Sequence, residues 1–285
     1  MTGIIVKGIG GFYYVKCEDG VVYECKARGV FRNRNIKPVI GDEVEIEILK
    51  GKGNIVEIGE RRTVLVRPPV SNVDNIMIVA AAKDPDPDLG LIDKILVTAE
   101  AKGINPVICI NKTDLCDGEE IARIYEKSGY PVIFVSTYED KGIDELKKLL
   151  KGKVTAFAGL SGVGKSSILN KILDFDAQTG DISDKIKRGK HTTRHVELFE
   201  LEGGGFVFDT PGFSSFELEN IKAAELYMCF PEMKDITGCR FKGCAHINEP
   251  DCAVKEQVEK GEIPRERYEN YKEIYEILKK RKEWE

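Results

Sequence analysis

Through about residue 62 the chain alternates apolar and polar positions with a period of two, in short segments broken by glycine: GFYYVK, VVYECK, DEVEIEIL and GNIVEI. In the third, Val44, Ile46 and Ile48 share one face, the spacing of a half-buried strand. About five such strands in so short a stretch predict a small closed β-barrel of the OB-fold kind, with an SH3-like barrel as the alternative. From VRPPVSNVD the texture changes. Apolar runs (NIMIVAAA, NPVICI, PVIFVS, VTAFAG, GFVFDT) alternate with helical stretches such as LIDKILVTAEAKG and GIDELKKLLKG, which predicts an α/β domain on a largely parallel sheet buried on both faces. After Phe216 the pattern turns helical. The last stretch, IPRERYENYKEIYEILKKRKEWE, puts Tyr268, Tyr271, Tyr275 and Leu278 on one face behind a proline suited to a first turn, a packing stripe, with a partner-binding stripe as the alternative. The expected division is a barrel over 1–64, an α/β domain over 65–220 and a helical module over 221–285.

Composition narrows the class. A chain of 285 residues with net charge -5, 32% charged and 42% hydrophobic, is globular and is not a wholesale polyanion binder, so any nucleic-acid contact must be local. The opening MTGIIVKGIGGFYYVK is too often interrupted by glycine and lysine for a signal peptide, and no apolar run approaches the roughly 18 residues of a membrane span. A cytoplasmic monomer without a membrane partner is expected. Of eight cysteines, Cys239, Cys244 and Cys252 crowd together with His246 as C-x4-C-x-H-x5-C. Three thiolates and an imidazole form a Cys3His set for one structural, tetrahedral Zn²⁺, with buried reduced cysteines as the plainer reading.

The nucleotide chemistry is carried by three segments. GLSGVGKSS matches G-x-x-x-x-G-K-S between a strand and a helix, so the backbone of Gly159, Ser161, Gly162, Val163 and Gly164 can turn N–H groups onto phosphate, with Ser167 opening the helix. There Lys165 reaches the β- and γ-phosphates and the Ser166 hydroxyl ligates Mg²⁺. VFDTPG ends a strand in Asp209, which can hold the same Mg²⁺ through water, and brings the Gly212 N–H to the γ-phosphate. NKTD supplies Asn111, Lys112 and Asp114: the carboxylate pairs with the N1–H and 2-amino group of guanine, which adenine lacks, while the Lys112 stem covers the ring. Ser136 and Thr137, in VSTYEDKG, place backbone groups for guanine O6. NKTD precedes the phosphate loop, the reverse of an ordinary GTPase. Because ligands of open α/β sheets bind outside the strands' carboxyl ends, whatever the order of connection, the chain reads as a circularly permuted P-loop GTPase.

KARGVFRNRNIK carries Lys26, Arg28, Arg32, Arg34 and Lys37 with Phe31 and no acidic residue, which suits RNA phosphates plus a stacked base, or simply a solvated face. With the permuted boxes, the barrel before them and the Cys/His cluster after them, the whole chain resembles the ribosome small subunit-dependent GTPase A (RsgA) family. The family's phosphate loop commonly has Gln where Leu160 stands here. The resemblance implies a GTP hydrolase, stimulated by the small (30S) ribosomal subunit, that acts late in that subunit's maturation and binds its 16S rRNA. Phe213 occupies the place of the glutamine that orients water in Ras-like enzymes. His191, in GKHTTRH, matches the family's histidine before its paired threonines and takes the water-orienting role, with Thr193 rather than Thr192 as second Mg²⁺ ligand; His195 begins a strand. The other reading leaves His191 a solvated loop residue and catalysis to Lys165 and Mg²⁺. A GTPase switch with a non-ribosomal protein partner, and an RNA-binding module with a vestigial nucleotide site, are the competing functions.

Overall fold

The computed structural model describes residues 1–33, 36–49, 52–173, 196–210, 218 and 221–282. By proximity of their Cα atoms these fall into two compact units, Met1–Ile76 with Ile143–Phe157 and Lys165–Pro211, and Met77–Gly142 with Ala158–Gly164 and Gly212–Glu285.

In the first unit β1 (Thr2–Ile9), β2 (Phe12–Cys17), β3 (Val22–Ala27), β4 (Glu43–Leu49) and β5 (Lys52–Ile58) close a barrel in the order β1-β2-β3-β5-β4, with a helical turn α1 (Val30–Asn33) after β3. Ile5, Val15, Cys25, Val44, Ile46 and Ile55 fill it, so the period of two does mark the inward face. Ile48 departs from that face and is 38% exposed. Closure against β1 involves Glu43, Val44 and Glu45, extended by the backbone bonds between Met1 and Ile46, and past them β4 is paired with β5, Ile48 opposite Gly53. Phe31 is a second departure. Expected at an RNA-facing surface, it is 6% exposed and belongs to the barrel core, because the turn closed by Phe31 N–H on Arg28 C=O, 3.2 Å, carries the ring inward.

Beyond the barrel follow a two-strand ribbon, β6 (Val64–Leu65) and β7 (Val70–Ser71), then β8 (Asn75–Ala81), α2 (Leu89–Lys102), β9 (Asn105–Asn111), α3 (Glu119–Glu126), β10 (Val132–Phe134), α4 (Ile143–Leu150), β11 (Val154–Ala158), α5 (Lys165–Ile172), β12 (Phe199–Glu200) and β13 (Phe206–Asp209). They build a six-stranded sheet ordered β10-β9-β8-β11-β13-β12, parallel at β9–β10 and β11–β13, with β12 an antiparallel edge. Every residue of β8 and β11 is buried, as expected of strands covered on both faces, and this is why their sequences are apolar but for Asn75 and Thr155, which bond to each other at 3.4 Å. α2 is capped at its start by the Asp88 carboxylate, which accepts from Leu91 N–H, and at its end by Gly103.

The second unit ends in a 3₁₀ segment (Ala223–Cys229), α6 (Pro231–Lys234), α7 (Ala253–Glu259) and α8 (Arg265–Lys282). Tyr268, Tyr271 and Leu278 are buried and Tyr275 packs beside them, which makes the aromatic stripe a packing face. It meets Val97 of α2 together with Leu226, Phe230 and Met233 in a single core. Among the described residues no helix is long and apolar enough to cross a membrane.

Candidate nucleotide site and metal centre

The expected base box lies where β9 ends. Asn111 is fully buried, and its amide Nδ2–H donates to the Val163 carbonyl at 2.9 Å, so the box grips the phosphate loop directly. Gly164, at φ +98°, sits against that amide: a Cβ there would stand 2.2 Å from Asn111 Nδ2. Gly159 is pressed equally close to β8, where a Cβ would stand 2.2 Å from the Val79 carbonyl oxygen. Both positions demand glycine, by backbone sign and by space. Lys112 adopts φ +61° and donates through Nζ to the Asp84 carbonyl. Asp114 is exposed, and its Oδ1 accepts the Ser136 hydroxyl at 2.6 Å.

Ser136 is fully buried, and its N–H and C=O both bond to Lys141, at 3.0 Å each. Its backbone donor is therefore engaged within the loop, and its hydroxyl instead steadies Asp114. Among the described residues the Thr137 N–H has no protein acceptor.

Lys165 opens α5 and Asp209 ends β13, within the first unit. Burial pushes the Lys165 ammonium below its ordinary value while Asp209 opposes the shift. Burial likewise pushes the Asp209 carboxyl up, against Lys165 and the Thr210 N–H. Asp209 Oδ1 is buried with no hydrogen-bond partner. An orphaned buried carboxylate oxygen within the electrostatic reach of Lys165 is donor chemistry that Mg²⁺ takes. Gly212, Phe213, His191, Thr192, Thr193 and His195 lie outside the described residues, as does Arg34.

The Cys/His set does come together. The ligand atoms of Cys239, Cys244, His246 and Cys252 all lie within 4.8 Å of one another. Cys239 Sγ is 3.7 Å from His246 Nδ1 and 3.9 Å from Cys252 Sγ, which is 3.4 Å from the same nitrogen. Zn–S bonds of about 2.3 Å and Zn–N bonds of about 2.0 Å in a tetrahedron set ligands roughly 3.5–3.8 Å apart, so Cys239, His246 and Cys252 stand at nearly that spacing and the four together are a set that can hold one zinc ion. Burial pushes the His246 imidazolium below its ordinary value, favouring the neutral, ligating ring, with Glu249 opposing. The loop that presents His246 is held by Tyr268 OH on His246 C=O and Tyr271 OH on Ala245 C=O, both 2.7 Å, and by the Glu249 carboxylate accepting from Ala245 and Ile247 N–H.

On the barrel, Lys26, Arg28 and Lys37 line one groove with Phe12 and Tyr13. Lys26 Nζ sits 4.7 Å over the Phe12 ring, and Arg28 is paired with Glu47, which offsets part of the basic charge. Arg32 lies in α1.

A buried ion cluster is marked by no sequence motif. Arg267 of α8 is fully buried, bonded to Asp93 of α2 and to Glu232 of α6 (Nε–Oε1 2.7 Å), with Asn270 Nδ2 on the other Asp93 oxygen at 2.6 Å. The signal was available: Arg267 precedes Tyr271 by four residues and Ile274 by seven, on the buried face of the helix.

A phosphate loop at a strand–helix junction, gripped by an NKTD box that comes earlier in the chain, on a mostly parallel sheet, defines a circularly permuted GTPase. Models of two families match: RsgA GTPase over residues 58–219 and RsgA N-terminal domain over residues 2–56. Similar proteins include two named small ribosomal subunit biogenesis GTPase RsgA. The one from Agathobacter rectalis is 46% identical, with 100% of each chain covered; that from Ruminiclostridium cellulolyticum is 51% identical, over 97% of this chain and 93% of its own. Among solved structures, YjeQ from Thermotoga maritima superposes with a TM-score of 0.86 at 39% identity, covering 97% of this chain and 98% of that one. YloQ, described as a circularly permuted GTPase, gives 0.82 at 38%, covering 98% and 95%. The chain belongs to the RsgA GTPase family and is a GTP-hydrolysing enzyme, its family implying Mg²⁺ with the nucleotide.

Proposed function

We propose that this GTPase acts in late maturation of the small ribosomal subunit, and that GTP binds where NKTD meets the phosphate loop. The bond from Asn111 to the Val163 carbonyl carries the reading of the site, because it fixes the base-reading segment to the phosphate-reading one before any nucleotide arrives. In this reading Asp114, oriented by Ser136, pairs with guanine N1–H and the 2-amino group, and the Thr137 N–H meets O6. The N–H groups from Gly159 to Gly164 cradle the phosphates and Lys165, next in the chain, neutralises them. Mg²⁺ bound with GTP would offset charge between the β- and γ-phosphates, and Ser166, Asp209 and Thr193 would hold it. His191 is assigned to orienting the attacking water, since Phe213 cannot. One Zn²⁺ on Cys239, Cys244, His246 and Cys252 has all four positions filled by protein, and so is structural.

The relatives' names supply the partner, the small subunit, and the basic groove of the barrel supports contact with its 16S rRNA. The reading keeps three modules, 1–64, 65–220 and 221–285, and a monomer at work in the cytoplasm. Turnover of GTP with and without purified small subunits tests it: slow alone and strongly raised with subunits is expected. Unaltered turnover on adding subunits would remove the ribosome as activator, and no turnover in either case would remove the hydrolase.

A further inference from the structure

Among the described residues, the barrel meets the edge of the sheet through a short run of bonds on β1. That strand is flanked by β4 from Thr2 to Ile4, and Ile5 then exchanges backbone bonds with the turn before β4, its N–H on Asp42 C=O at 3.0 Å and its C=O accepting from Gly41 at 2.8 Å. A bulge interrupts the register with β2 between Ile5 and Lys7. At that point β1 changes partner: the Val6 carbonyl accepts from Leu198 N–H at 2.9 Å, and Lys7 lies opposite Glu197 in an antiparallel bridge. Two ion pairs repeat the link, Lys7 Nζ to Glu197 at 2.7 Å and, from β2, Lys16 Nζ to Glu200 at 2.9 Å.

The residues so held lead to the nucleotide chemistry in both chain directions. Phe199 and Glu200 pair with Val207 and Phe206 of β13, which ends in Asp209. Val196 follows Thr193 by three residues, and three residues span at most about 11 Å, so the anchor bounds where the second Mg²⁺ ligand of the reading above can lie. On the barrel side, β1 runs on through Ile9 to Phe12 and Tyr13, which line the basic groove with Lys26 and Lys37. The joint itself is loose. The four paired side chains keep between 24% and 48% of their exposure, and pairs so open to water hold weakly. Beside them opens a cavity of about 530 Å³, lined by Val6, Tyr14, Val22, Leu173, Leu198 and Phe206. A joint of weak bonds beside a void shifts under modest binding energy.

We propose that Lys7 and Lys16 are positioning residues for hydrolysis: they tie strand 196–200 to the barrel, so that rRNA seated in the basic groove steadies the chain leading to the Mg²⁺ ligands. This rests on the functional reading above and deepens it, by assigning the route through which the small subunit raises turnover. The two sites are coupled because the groove and the anchor share β1, and the differential contact is the pair of ion bonds to Glu197 and Glu200. Neither lysine touches the nucleotide in this reading, so each acts through the strand it holds.

The test compares the full chain with Lys7→Glu, Glu197→Lys and the double variant that swaps the two charges, and likewise with Lys16→Glu, Glu200→Lys and their double variant. GTP turnover is measured alone and with purified small subunits, beside subunit binding at fixed salt. Each single variant should keep unstimulated kcat and KM within about twofold of the parent, a sign that it folds and binds GTP. It should bind subunits as the parent does, yet lose roughly fivefold or more of the stimulated kcat, and the swapped pairs should recover most of that loss. Single variants stimulated like the parent, or swapped pairs no better than the single variants, overturn the inference. Subunit binding that falls in step with stimulation also overturns it, by placing the lysines on the rRNA itself. A parent that subunits do not stimulate fails the functional reading and takes this one with it, whereas a stimulated parent with indifferent variants fails the coupling alone.

Discussion

Replacing Arg267 by methionine probes what fastens α8 to the rest of its unit. The guanidinium is fully buried, bonded to Asp93 and doubly to Glu232 (2.7 and 3.1 Å), and lies 4.6 Å over the Phe230 ring. Methionine keeps much of the packing volume but leaves two carboxylates buried without their cation. Breaking a buried pair in this way costs about 3–5 kcal/mol. With a urea m-value of about 3 kcal/mol/M, the unfolding midpoint of this unit should fall by about 1–1.7 M. The triple variant R267M/D93N/E232Q, which removes the charges together, should regain most of the loss.

The pH dependence of the deficit has a sign that can be worked out. Burial raises the Asp93 carboxyl above its ordinary value, against the attraction of Arg267 and the Asn270 amide. Over that window the folded state keeps a proton the unfolded state has released, so this group's contribution to stability falls as pH rises through it. Without Arg267 the window extends upward, and the deficit of Arg267→Met should be larger at pH 8 than at pH 5. Urea unfolding followed by far-UV circular dichroism at the two pH values reads both quantities. A midpoint shift below about 0.3 M, or a triple variant no more stable than the single one, would refute the view that the cluster is held by compensation of buried charge.

Gly164→Ala should abolish tight GTP binding, measured by titration, while the protein still folds: its Cβ would meet Asn111 Nδ2 at 2.2 Å in a backbone conformation that disfavours side chains. Asp114→Asn should weaken GTP roughly tenfold or more and move preference toward xanthosine triphosphate, whose C2 carbonyl the new amide can satisfy; an unchanged base preference in competition binding would reject the base box. Chelating the metal should loosen the segment from Cys239 to Cys252, seen as faster amide exchange there, with GTP binding retained. Protein purified without chelator and free of zinc by elemental analysis would contradict the structural ion.

What the order of residues determined was whatever short-range spacing encodes. The period of two named the inward face of the barrel, predominantly apolar runs named strands covered on both sides, and G-x-x-x-x-G-K-S, NKTD and C-x4-C-x-H-x5-C each bring their groups together within a short stretch of chain. Such patterns state which face is buried and leave open against what. Only the fold decided that Ile48 lies past the closure of the barrel, because closure depends on where β1 ends its pairing with β4. Phe31 went into the core because one helical turn redirected it, a choice among backbone angles that a basic loop does not encode. Asn111 and Val163 meet across a sheet crossover, and Asp93, Glu232 and Arg267 come from three separate helices. A buried charge is tolerated only where its counter-charges converge, and convergence of distant residues is a property of tertiary packing, to which local pattern contributes the faces but not the partners.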